Sequence, residues 1–268
     1  LARVQDKMIF AMWENATLDS LPVFIRSKNG KFIIGDLFED RELNRLVWDY
    51  FIPVKIQESK YEELYNQIKD KRSLEYIDKF NDNSIKIMDV NGKIINTNYL
   101  EYYYENVNLS FLIDNYALKT TFLKHELMSY SKNKTFLDTY ILASKYLEFS
   151  TYVNKTVRKE FVDLALVYLN EAVELIEYEK PEKRSAFKQR CELLYLKQYL
   201  ILNNPKKTLR QLKKLKKLKI AKNNESLFAA LNYTAYKLLK KDKDAEVWKS
   251  KISSVDLKKI NVILKINE

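Results

Sequence analysis

The sequence predicts an α/β region joined to an all-α region: an N-terminal mixed sheet with flanking helices, then C-terminal antiparallel helical hairpins. Three observations carry this. Between Leu21 and Ile95, short apolar runs bounded by turn residues alternate with helix-period segments, the pattern of strands and helices sharing one sheet. Beyond residue 117 the helical period rarely breaks, and the loops are short enough to make successive helices antiparallel neighbours. Only three Gly and four Pro occur in 268 residues, which disfavours folds built from many tight turns. The domains are expected at 1–116 and 117–268.

Taken in order, Met8, Ala11 and Met12 stand at helical spacing within residues 5–18 and predict an N-terminal helix, although Met8–Met12 also reads as a strand. Leu21–Ile25 is a short buried strand, and Ser27, Lys28, Asn29, Gly30 and Lys31 form a loop. Leu43, Leu46, Val47 and Tyr50 share one face of a helix over Asp40–Tyr50, and Phe51–Ile56 follows as a second buried strand. A polar helix covers Tyr61–Ile68. Asn91-Gly92 between Ile85–Asp89 and Lys93–Ile95 is a hairpin signal. The pattern over Asn98–Tyr116 predicts a return to helix. Further helices are expected at about 118–131, 135–153, 156–178, 182–202, 206–219, 224–240, 244–251 and 255–265.

Apolar content of 46% with 13% aromatics is that of a globular chain. The net charge of +11 is uneven: residues 1–116 carry 15 Lys/Arg against 19 Asp/Glu, so the rest is strongly basic. Such asymmetry implies two different surfaces, the basic one suited to an acidic partner. One cysteine, Cys191, and one histidine, His125, exclude an intrachain disulfide and the usual Cys/His zinc sites. No run of 18 apolar residues exists, so no transmembrane helix is expected. The chain starts at Leu1 rather than Met, which fits a trimmed or mature form, with or without a signal peptide upstream.

Residues 21–116 resemble a thioredoxin-fold domain. Leu21–Ile25 resembles the strand before the redox loop, and Leu37-Phe38-Glu39-Asp40-Arg41-Glu42-Leu43 resembles a segment of the helix that follows it. Phe51-Ile52-Pro53-Val54-Lys55-Ile56 is similar to the family's next strand, and Ser84–Lys93 to its late hairpin. In that alignment the family's Cys-x-x-Cys falls on Ser27–Lys31, where there is no sulfur, and its cis-proline falls on Asn83. Thiol–disulfide exchange needs a thiolate, and a cis bond before a residue other than proline costs about 3 kcal/mol. The resemblance therefore implies a redox-inactive domain with a trans turn at Asn83. In the helical region, Ala165, Tyr168, Leu169 and Ala172, with Leu194, Tyr199 and Leu200, are similar to tetratricopeptide helix pairs, without a 34-residue period.

The sharpest charge feature lies in residues 180–222, with 15 basic and two acidic side chains. Lys206, Lys207, Arg210, Lys213, Lys214, Lys216 and Lys217 form a possible surface for an acidic partner, nucleic acid or anionic lipid. The plainer reading is an amphipathic helix whose Leu209, Leu212, Leu215 and Leu218 pack while the lysines face water. The preference of Lys over Arg weakens the nucleic-acid case. Tyr99, Tyr102, Tyr103 and Tyr104 either line a peptide groove or form one half-buried helix end. Trp13 and Trp48 are expected in the core, Trp248 against the terminal helices. His125 reads as a solvated residue, Cys191 as an inert buried thiol. Glu39-Asp40 and Glu62-Glu63 read as helix N-terminal charges.

None of these makes an active site, metal site or cofactor site. The function expected is non-enzymatic: a redox-inactive protein-binding or scaffolding module, in which the α/β domain supplies a peptide-binding edge or a cap and the helices an extended surface. The alternative is a protein that meets nucleic acid or an anionic membrane through the basic 180–222 surface. The resemblance also implies a periplasmic or envelope setting over the cytoplasm, as for many bacterial domains of that fold.

Overall fold

The computed structural model describes the chain except residues 27, 28, 99–101, 104 and 105; the side chains of Tyr102 and Tyr103 also fall outside the description. The architecture is α/β, and the chain falls into two compact units, residues 1–124 and 125–268.

In the first unit, α1 (Ala2–Gln5) precedes β1 (Ile9–Trp13), and β2 (Pro22–Arg26) and β3 (Phe32–Asp36) form an antiparallel hairpin. Then come α2 (Arg41–Tyr50), β4 (Ile52–Ile56), α3 (Tyr61–Ile68), α4 (Leu74–Asn81) and β5 (Lys86–Met88). The unit closes with β6 (Tyr102–Tyr103), β7 (Asn106–Asn108) and α5 (Leu109–Tyr116). One sheet has the order β4-β1-β5, with β4 parallel and β5 antiparallel to β1. The other has the order β3-β2-β7-β6, with β2 and β7 parallel.

Three expectations need correction. Residues 9–13 form the central strand β1 rather than part of a helix. Phe10, Ala11, Met12 and Trp13 are all at most 4% exposed, and a strand buried on both faces has no polar side to betray its period. Leu21–Ile25 and Phe51–Ile56 do not share a sheet: the strand parallel to β4 is β1, with Ile9 opposite Ile52 and Trp13 opposite Ile56. Residues 98–116 are not one helix. Val107 and Asn108 pair with Val23 and Phe24, a long-range ladder that overrides the local pattern, and the Asn108 side chain then caps α5 by accepting from Phe111 N.

Other junctions follow local chemistry. Asp40 Oδ1 accepts from Glu42 N at 2.9 Å and Leu43 N at 3.1 Å, which caps α2. The hairpin at Asn91-Gly92 forms, with Gly92 at φ 78° and Asp89 N donating to Lys93 O at 2.9 Å. Gly35 in β3 lies close under α2: a Cβ there would meet Leu43 Cδ1 at 2.7 Å, so Leu43 would have to shift.

The second unit is helical from α6 (Lys124–Asn133), whose first residue belongs to the preceding unit, through α7 (Phe136–Phe149), α8 (Arg158–Leu175) and α9 (Pro181–Ile201). It continues with α10 (Pro205–Leu215), α11 (Glu225–Leu238), α12 (Asp242–Lys249) and α13 (Ser254–Lys265). Pro181 and Pro205 stand in the first turns of α9 and α10, where a missing N–H costs nothing. Tyr168, Leu169, Ala165 and Ala172 are buried on α8, and Tyr168 stacks on Tyr146 with ring centroids 5.2 Å apart. α10 ends at Leu215, short of 219, so Leu218 lies beyond the helix and is 60% exposed instead of packed.

Candidate functional site

In the α/β unit, the side chains near Asn83 are the most tightly tied. The bonds of the Asp82-Asn83-Ser84 turn are trans; no cis peptide occurs among the described residues. Two buried lysines clamp the turn. Lys86 Nζ donates to Asp82 O at 2.6 Å, Ser84 O at 3.0 Å and Asp82 Oδ1 at 3.2 Å, and it lies 6.0 Å from the Trp13 ring. Lys79 Nζ donates to Ser84 Oγ at 2.6 Å. Trp13 Nε1 donates to Phe80 O at 2.8 Å. This place at the end of β1 is filled with apolar and paired groups.

Asn29, Gly30 and Lys31 are exposed and sit at the tip of the β2–β3 hairpin, so the loop joins two strands rather than a strand and a helix. Ser27 and Lys28 lie outside the described residues. The strand that follows is the more distinctive feature. β3 is an edge of its sheet, and Phe32, Ile33 and Ile34 are 63%, 47% and 65% exposed. Phe32 and Ile34 share one face with Phe24, whose ring meets Phe32 edge-on at 5.5 Å. Leu37 N donates to Leu21 O at 2.9 Å, so in the antiparallel ladder residues 33, 35 and 37 turn their main-chain groups toward β2. Phe32 and Ile34 turn theirs outward, with no strand paired to them among the described residues.

β4, at an edge of the other sheet, carries Pro53 and Lys55, two residues that discourage strand addition. β3 has neither proline nor charge before Asp36. The Asp36 carboxylate accepts from Ser20 Oγ, Leu21 N, Phe38 N and Glu39 N between 2.6 and 3.1 Å, which ties the base of the strand to its flanks. Burial pushes its pKa up, but those hydrogen bonds outweigh burial and hold it below the usual carboxylate value.

On α10, Thr208 and Leu212 are buried, Leu209 and Leu215 half-buried, and Lys206, Arg210, Lys213 and Lys214 exposed, as are Lys216 and Lys217 just beyond its end. Lys207 lies over the Tyr199 ring at 4.0 Å, and Lys216 lies 5.9 Å from that of Trp248. The helix is amphipathic, and its cations face outward.

The remaining residues are quickly placed. His125 is exposed. Cys191 is 1% exposed, and burial pushes its thiol up to about 12. Trp48, expected in the core, is 55% exposed on α2; Leu43 and Val47 are the buried residues of that helix. Tyr99 and Tyr104 lie outside the described residues. No group of three or more His, Cys, Asp or Glu converges for a metal among the described residues, and no helix there is long and apolar enough to cross a membrane.

Comparison with protein-family models, with curated proteins and with solved structures returns no match.

Proposed function

We propose that this chain is a non-enzymatic protein-binding module, and that β3 is its docking edge, taking an extended segment of a partner protein as an added strand. The observation that supports it most is an edge strand with three consecutive exposed apolar side chains and outward main-chain groups at Phe32 and Ile34. Strand addition draws affinity from main-chain hydrogen bonds and selectivity from alternate side chains, and such an edge left bare is an aggregation hazard. We read the first unit as thioredoxin-like and redox-inactive. Its order of β1, α2, parallel β4, helices, then the antiparallel β5 hairpin supports this, with β2–β3 as an insertion before α2. In that reading the loop after β1, residues 14–20, stands at the redox position, and it contains no cysteine. The alternating helices of the second unit are read as repeat-like.

A random peptide library displayed on phage and selected on the full chain tests the proposal. Selected peptides should lose binding to Phe32→Lys and Ile34→Pro, because the proline removes an outward donor and leaves the β2 ladder intact. They should keep binding to a chain carrying Lys213→Glu, Lys214→Glu and Lys217→Glu. A selection that yields no binder, or binders lost only in the α10 variant, contradicts the proposal.

The exposed cations of α10 support a second reading, a nucleic-acid- or anionic-membrane-associated protein. Its test is a salt titration of binding to DNA, RNA and anionic vesicles. Absence of salt-sensitive binding near physiological ionic strength eliminates it.

A further inference from the structure

The helical unit holds a cavity of about 360 Å³ whose walls come from α7, α9, α11 and α13, alternate helices of the run. Its apolar lining includes Leu194, Leu200, Leu231, Ile260 and Ile263. Four cations also line it, Lys145, Arg190, Lys197 and Lys259, against two acids, Glu148 and Asp256. Glu148 is already engaged by Lys259 at 2.9 Å and Lys145 at 3.9 Å, and Lys145 also lies 4.0 Å from Glu126.

Lys197 makes no hydrogen bond and no ion pair with any described residue. Burial depresses its pKa, with Glu148 opposing that shift. Arg190 lies over the Tyr140 ring at 5.4 Å, and its Nε–H is buried without an acceptor. Lys197 is half-buried in the cavity wall, and an apolar cavity with a few convergent polar groups is the usual form of a small-molecule site.

We propose that this cavity binds a small organic carboxylate with an apolar body, its carboxylate paired with Lys197 and its body lying against Leu194 and Leu231. Arg190 stands seven residues from Lys197 on α9, about 10 Å along the helix, and offers a second donor to a polar group at the far end. At the ~30 Å³ that a water molecule occupies in the liquid, the cavity holds roughly a dozen non-hydrogen atoms. The site is separate from β3 and needs no partner protein.

Calorimetric titration of the full chain with decanoate, below its micelle-forming concentration, tests this. Decanoate should bind one per chain. Decanol, which has the body without the charge, and acetate, which has the charge without the body, should each bind at least about tenfold more weakly. Lys197→Met should weaken decanoate by about tenfold or more, and Lys197→Arg should restore part of it. The Lys213→Glu, Lys214→Glu, Lys217→Glu chain should bind as the original does. Failure of decanoate to bind, equal binding of decanol, or unchanged binding to a folded Lys197→Met chain overturns the proposal. Acetyl-Leu-Leu-Leu with a free carboxyl terminus binding more tightly than decanoate also overturns it, and makes the cavity a peptide site.

Discussion

At the scale of single residues, paired polar groups tie down one end of the α/β unit beside its apolar core. Lys86 is fully buried, and Asp82 with the Asp82 and Ser84 carbonyls keeps its charge paired. Asp82→Ala leaves that ammonium without its carboxylate, for an expected loss of about 3–5 kcal/mol in urea unfolding. Lys86→Met removes the charge itself and frees two carbonyls, for a smaller loss of about 1–3 kcal/mol. If Asp82→Ala were the milder change, the ion pair would not be what holds the turn. Gly35→Ala pushes a methyl group against Leu43 and should cost about 1–3 kcal/mol.

Two carboxylates give the chain an acid limb. Asp36 and Asp138 are both held below the usual carboxylate value, in each case by hydrogen bonds that outweigh burial; for Asp138 the donors include Ser129 and Thr135. A carboxylate with a depressed folded pKa adds stability that is present above its unfolded value and lost as pH falls through the folded value. Urea midpoints should therefore fall below about pH 4, and Asp36→Asn should flatten that limb. Cys191, raised to about 12 by burial, should resist maleimide at pH 7.5 until the chain unfolds.

At the scale of elements, legibility followed the contrast between faces. The C-terminal helices stand within a few residues of where their period places them, because each shows water one polar side and Pro181, Pro205 and Asn204 mark their starts. Strand β1 was hidden by its complete burial. β7 was hidden because its partner β2 lies some 80 residues earlier in the chain, and β6 pairs only with β7. The proposed docking edge was legible only in part. A peptide-binding edge was expected of this unit without residues assigned to it, because nothing local in Phe32-Ile33-Ile34 marks the edge of a sheet. The cations of α9 were counted in the basic stretch, yet nothing in the sequence says that Arg190 and Lys197 turn inward while those of α10 turn out. That contrast predicts stability too. Leu212→Ala on α10 should cost about 2–5 kcal/mol, while Lys213→Glu should stay within about 0.5 kcal/mol.

At the scale of the whole molecule, the chain joins an acidic α/β unit to a basic helical one and has a single, inert thiol. It should show no thiol–disulfide exchange activity, since no second cysteine exists to form or resolve a disulfide. What it offers a partner is surface: an apolar edge strand, a helix of outward cations, and a cation-lined cavity. In the proposed readings these take different ligands and answer to different variants. The most direct test of the central claim is amide hydrogen exchange on the full chain, with and without a peptide selected on it. Strand addition predicts new protection at the outward amides of Phe32 and Ile34, with the α10 amides unchanged. Protection confined to α10, or β3 amides that exchange as in the free chain, would contradict it.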